Sequence, residues 1–420
     1  MTNVSIRTAA RQVPRQVPLT IALLLIGLGN LVIPAILTEA LPVDYLIVAL
    51  AICGIAIIYR LRLIVTRVRA WWVSGLFVLL CVPGFIGQSL TGYTATKALA
   101  LIIVLLLALA AAQIRDPSTF MPRLMWTALT IGSAFSALAL QFGGRDVGGR
   151  LVFLGLNPIG IGRVAGLVIV VALTLVLTRR VTSLPATLIL AGLTGLGGVV
   201  VIASGSRGPL VAAAVGLVAL LALLATTRRI SVRTTFLIAL GTTAAAAGVL
   251  LSDSSGLTRI LNASDSGRSA LYEESLALAI ARPAGIGWGQ LGQYIVDFRA
   301  INEEGLYAHN VFLEIFVEGG VVALVAFLLL VWASTSGAWR AARRHDSFTT
   351  SFVVLIYALA SAQFSSDIVG NRLMWLMLAL SLISGWWVKY GSPVDGDVDE
   401  RAEHVMGGDR VNPRRSRSTP

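Results

Sequence analysis

Charge is what this sequence has least of. Asp, Glu, Lys and Arg together make up 13% of 420 residues, against roughly one-quarter in a soluble domain. With 56% of the chain hydrophobic, a soluble enzyme is excluded and a polytopic membrane protein is indicated. Cysteine is almost absent. Cys53 and Cys81 both lie in apolar runs, which excludes a disulfide framework and a thiolate metal site. Histidine is as rare: His309, His345 and His404 are the full set, whereas a closed metal site needs about four ligands. Neither a metal nor another cofactor is therefore expected.

The net charge of +12 raises nucleic acid as a partner, and the placement of the cations removes it. Apolar runs fall near 19–37, 43–59, 71–87, 95–113, 124–142, 159–178, 184–203, 209–226, 234–251, 311–334, 348–364 and 373–387, most of them near the ~20 residues that cross a bilayer. An all-α fold of about 12 transmembrane helices follows. Arg60, Arg62, Arg67, Arg69, Arg115, Arg123, Arg179, Arg180, Arg228, Arg229, Arg233, Arg340, Arg343 and Arg344 then share one side with the basic N-terminal tail. By the positive-inside rule that side is cytoplasmic. Residues 1–18 are expected to be a cytoplasmic tail, 19–390 a single transmembrane domain with both termini inside, and 391–420 a disordered cytoplasmic tail with almost nothing apolar to bury. A large, partly helical loop, 252–309, between helices 9 and 10, is placed outside.

Few polar residues lie on the outer side, and they cluster. Gly205-Ser206-Arg207-Gly208-Pro209 joins two apolar runs with almost no room for a loop, so Arg207 either faces an outer cavity or snorkels to lipid headgroups. Gly143-Gly144-Arg145-Asp146-Val147-Gly148-Gly149-Arg150 is a glycine-rich outer loop, either an ordinary flexible one or one whose two arginines bind an anion; Asn157-Pro158 follows, with Arg163 close to the start of the next span. In the large loop, Ser266 or Ser269 caps a helix that carries Arg268, Leu271, Leu276 and Leu278, and the run from Pro283 to Gln290 breaks it. His309 is either a packing residue or a base for a hydroxyl proton. If a helix runs through His309, Asn310, Glu314 and Glu318 fall on one face. Carboxylates entering an apolar span need a partner or a watery cavity, so a site is the default expectation there.

From Gly149 to Trp387 the chain resembles the O-antigen ligase and polymerase family of bacterial membrane glycosyltransferases. The resemblance is carried by Arg150 with Asn157-Pro158, by the Ser206-Arg207-Gly208 turn, by Arg268 ahead of a Pro/Gly turn, and by His309-Asn310 followed by Glu318-Gly319-Gly320. The chain departs from the family at Ile159, where a second Asn is frequent, and Arg163 is a further charge with no assigned role.

The resemblance implies a glycan donor on a polyprenyl diphosphate at the outer face of the cytoplasmic membrane. The acceptor would be a glycan, lipid or other hydroxyl. It further implies metal-independent transfer with inversion, with Arg207, Arg268 and His309 catalytic and Arg150, Asn310, Glu314 and Glu318 binding substrate. Polymerising and ligating members share these motifs. The competing classes are a secondary transporter, which internal repeats would favour, a shape- and division-type envelope polymerase, and a structural membrane protein.

Overall fold

The computed structural model describes residues 23, 50–55, 71–88, 92–111, 114, 116–178, 180–227, 268–295, 306–364 and 367–390. In chain order the elements are α1 (Trp71–Cys81), a 3-10 turn (Pro83–Phe85), α2 (Gly92–Ala111) and α3 (Pro117–Phe142). A two-residue antiparallel hairpin, β1 (Gly144–Arg145) with β2 (Leu151–Val152), leads to α4 (Pro158–Leu177), α5 (Leu184–Ala203) and α6 (Arg207–Thr226). Helices α7 (Arg268–Ala281) and α8 (Leu291–Tyr294) precede α9 (Val311–Arg344), α10 (Thr349–Ser361) and α11 (Arg372–Tyr390).

Among the described residues, seven helices are long and apolar enough to cross a bilayer: α2, α3, α4, α5, α6, α9 and α11. They make the chain a multi-pass membrane protein, because a backbone in hydrocarbon must satisfy its own hydrogen bonds. The runs expected at 71–87 and 348–364 form the shorter apolar helices α1 and α10. Those expected at 19–37 and 234–251 lie outside the described residues, and 43–59 is described only at 50–55. The tails 1–18 and 391–420, and 252–267 and 296–305 of the long loop, also lie outside them.

Helix starts follow local chemistry. Asp116 accepts from the Ser118 N–H at 3.0 Å ahead of Pro117, and Asn157 accepts from the Ile159 N–H at 2.9 Å ahead of Pro158. Each pairing satisfies a first-turn N–H, and proline at the first position has none to lose. Helix α4 is the most buried of the spans and packs against α3, α5, α6 and α10. Helix α9 packs against α1, α7, α10 and α11, and α11 also meets α2.

Helix α9 is not continuous. Gly320 has φ 78° and ψ −177°, a combination essentially restricted to glycine. The carbonyls of Val317 and Glu318 consequently lose their helical donors. The loop supplies new ones: the Ile286 N–H bonds to Val317 O at 2.9 Å and the Gly287 N–H to Glu318 O at 3.0 Å, while the Val321 N–H reaches Pro283 O at 2.8 Å. The expected tight turn after Pro283 is present, with Gly285, Gly287 and Gly289 all at positive φ. Trp288 seals it, fully buried, with its indole N–H on Cys81 O at 2.7 Å.

At Gly320 a Cβ would stand 2.5 Å from the Ala284 carbonyl carbon and oxygen, whereas one at Gly195, in α5, meets nothing within 4 Å. Gly320→Ala is therefore expected to lose at least about 1–2 kcal/mol through the positive φ alone. Gly195→Ala should be neutral or stabilising by up to ~1 kcal/mol. Thermal unfolding of the two variants in detergent checks the contrast.

Candidate active site

Arg207 is positioned by a turn whose polar groups are consumed locally. Ser204 Oγ donates to Val201 O at 2.7 Å, and Ser206 Oγ donates to Ser204 O at 3.2 Å. The sequence pattern predicts Pro209 at the helix start; the helix begins earlier, with Ser206 at its cap and Arg207 first. Arg207 is thus a half-exposed cation at a helix N-terminus, where the dipole adds positive potential. The turn is wedged between two helices. A Cβ at Gly162 of α4 would meet Ser204 Oγ and Pro209, and one at Gly208 would meet Phe364 just past α10.

His309 reaches the end of α10 from the other direction. The residue has φ 53°, an unusual conformation for anything but glycine, and its ring lies 4.2 Å from that of Tyr307. The next residue but one, Val311, donates its N–H to Ala362 O at 3.3 Å. The Tyr272 hydroxyl donates to His309 O at 3.4 Å, which ties α7, the helix that Arg268 opens, to the histidine. Arg163 lies at the same place, buried, with Nε on Ser361 Oγ at 2.7 Å, Nη2 on Ser361 O at 3.1 Å and a further bond to Asn371 Oδ1. Tyr357 donates its hydroxyl to Arg163 O at 2.6 Å. The segment from Ser361 to Phe364 therefore gathers the Arg207 turn, Arg163 and the chain that follows His309.

The other expected residues are engaged elsewhere. Asn310 is a cap, not a member of the helical face: its Oδ1 accepts from the Phe312 and Leu313 N–H groups, both at 3.1 Å. Arg150 pairs with Asp146 at 2.8 Å across the hairpin loop. The backbone N–H of Arg150 chiefly holds the Asp146 carboxyl below its ordinary range, with the Arg150 side chain assisting. Arg145 fastens the hairpin to the Arg207 turn through Gly149 O at 3.0 Å and Ala203 O at 3.2 Å.

Glu314 and Glu318 do share a face, and it faces protein. Lys97 of α2 places its ammonium 2.6 Å from Glu314 Oε1 and 2.5 Å from Glu318 Oε2, with all three side chains fully buried. Glu314 Oε2 also accepts from the Ile368 N–H at 2.8 Å, and Glu318 Oε2 from the Gly289 N–H at 2.9 Å. One turn before Lys97, Tyr93 donates to Asp367 Oδ2 at 2.7 Å. Lys97 is missing from the residues singled out in the sequence. It has a signal there, as the lone charge in the 20-residue apolar run of α2, and intramembrane cations point to a partner or a site.

Lys97→Met would leave two buried carboxylates without their cation. A cost of about 3–5 kcal/mol is expected, read as reduced membrane accumulation and a lower unfolding temperature. Adding Glu314→Gln and Glu318→Gln should recover most of it.

Beside the hairpin is an open cleft of about 430 Å³, lined by Phe142, Phe153, Leu154, Leu156 and Pro158 among others. No curated protein matches this chain. Residues 190–328 match the family model described as O-antigen ligase. That stretch holds Arg207, Arg268, His309, Asn310, Glu314 and Glu318, and excludes Lys97, Arg150 and Arg163. Over that third of its length, the chain carries an O-antigen ligase-like domain.

Proposed function

We propose that this protein transfers a glycan from a polyprenyl-diphosphate-linked donor to an acceptor hydroxyl at the outer face of the cytoplasmic membrane. The observation that carries the reading is the gathering of the Arg207 turn and the His309 segment at the end of α10, with α7 bonded to His309. The O-antigen ligase match over 190–328 supports the same reaction class.

In this reading Arg207 and Arg268 bind the diphosphate. Arginine suits it, because a guanidinium is always charged and contacts two phosphate oxygens at once. The N-terminus of α6 adds donors of its own. His309 accepts the proton of the acceptor hydroxyl as its oxygen bonds to the anomeric carbon. The bond from that carbon to the phosphate oxygen breaks, and polyprenyl diphosphate leaves with the electron pair. Attack opposite the leaving group inverts the centre, and fixed arginine charge takes the role a metal would have in stabilising the departing diphosphate. Arg150 steadies the hairpin loop through Asp146, Asn310 fixes the helix start beside His309, and Glu314 and Glu318 anchor that helix. The apolar cleft beside the hairpin suits the first isoprene units of the donor tail.

One observation favours a second class. A span broken at Gly320 is a feature of secondary transporters, which bind substrate at interrupted helices. The break here is filled by the loop's own backbone, which favours the transferase.

The test is complementation of a gene deletion, with surface glycans and the polyprenyl-linked pool analysed together. Wild type should rescue, while His309→Ala lowers turnover about 10²- to 10⁴-fold at normal protein levels and Arg207→Ala fails likewise. Long chains stranded on the lipid in the deletion identify a ligase; single repeats on the acceptor identify a polymerase. Unchanged pools, or a reaction that depends on an ion gradient, would sink the transferase reading.

A further inference from the structure

We infer that Lys97 is a positioning residue: through Glu314 and Glu318 it fixes the orientation of the half-helix that begins just after His309. The inference rests on the reading of His309 as the base.

The break at Gly320 separates 311–319 from the rest of α9, so the direction of this half-helix is not inherited from the long span. Its direction comes from what holds its sides and ends. On one side, Lys97 bridges the two glutamates one turn apart. Each glutamate passes the restraint on, Glu314 to the Ile368 N–H ahead of α11 and Glu318 to the Gly289 N–H in the loop turn. At the far end, the loop amides of Ile286 and Gly287 take the last carbonyls. At the near end stand Asn310, as cap, and His309. Lys97 is itself held by α2, whose Tyr93 is bonded to Asp367 and whose Thr94 donates to Trp288 O at 2.9 Å. Among the described residues, the ammonium is thus the charged contact that ties the half-helix to a different span.

The lever is long enough to matter. From residue 318 to residue 309 is roughly 13 Å at about 1.5 Å per residue. A tilt of about 5° displaces the imidazole by about 1 Å, and misplacement on that scale costs on the order of 10²-fold in rate. Lys97 lies outside the matched stretch 190–328, so the domain's own residues leave this restraint to α2.

The experiment uses the full chain in detergent or vesicles, with polyprenyl-linked glycan extracted from the host as donor. Lys97→Met/Glu314→Gln/Glu318→Gln removes all three charges and keeps acceptors for the Ile368 and Gly289 N–H groups. The expected result is a kcat lower by roughly 10- to 100-fold with little change in donor KM. The rate at which diethyl pyrocarbonate modifies His309, read by peptide mass spectrometry, should also differ from wild type. If the triple variant does not accumulate, Glu318→Gln alone carries the same two measurements with one cation and one carboxylate left. An unchanged His309 modification rate overturns the inference whatever happens to turnover, as does a raised KM at constant kcat. A changed modification rate in a protein whose wild type transfers nothing upholds the link from Lys97 to His309 and sinks the transferase reading instead.

Discussion

One ammonium between two carboxylates, with none of the three reaching the surface, is the constraint around which this molecule is arranged. Charges inside a span are tolerated only in partnership, and these partners come from helices more than two hundred residues apart in sequence, α2 and α9. The carboxylates draw in further backbone, Glu314 on its second oxygen and Glu318 on the oxygen that also meets Lys97. Glu314 takes the amide of Ile368, and Glu318 takes that of Gly289. The pairing therefore joins α2, α9, the approach to α11 and the loop turn at one place.

The break at Gly320 and the turn from Pro283 to Gly289 complement each other. A helix that stops inside a span exposes carbonyls that hydrocarbon cannot solvate. A loop entering the same region brings amides with the same problem. Docked together, Ile286 and Gly287 give the N–H groups that Val317 and Glu318 lack. The close approach requires glycine on both sides, since a Cβ at Gly285 would stand 2.5 Å from Glu318 O and one at Gly320 equally near Ala284. Trp288 then locks the turn onto the 3-10 segment after α1. This packing holds the far end of the half-helix whose start Asn310 caps, next to His309.

A second polar centre lies around Arg163, at the segment that both the Arg207 turn and the chain after His309 approach. Arg163 holds Ser361 and Asn371, so α4, α10 and the start of α11 are joined at one level. The Arg207 turn packs on the same α4 start and on Phe364, and Val311 bonds to Ala362. Residues separated by a hundred positions in the chain thereby frame one segment.

Composition and apolar run length by themselves determined the membrane-spanning, helical character, and the expected bounds of α4, α5 and α6 stand within two residues of those observed, because hydrocarbon demands unbroken apolar helix. Capping chemistry at Asn157 was equally local. The His-Asn and Ser-Arg-Gly motifs marked the residues that the structure gathers near α10. What periodicity had no means to express was partnership. Glu314 and Glu318 on one face, as spaced, read the same whether that face meets water or a lysine from α2, and only the packing decided for the lysine. Asn310 left the face because a cap is nonhelical by its own dihedral angles, and Arg163 found its role in Ser361 and Asn371, distant in sequence. Local spacing dictates where a helix runs; which buried charge meets which is settled by the tertiary fold, since no charge can remain unpaired in the interior.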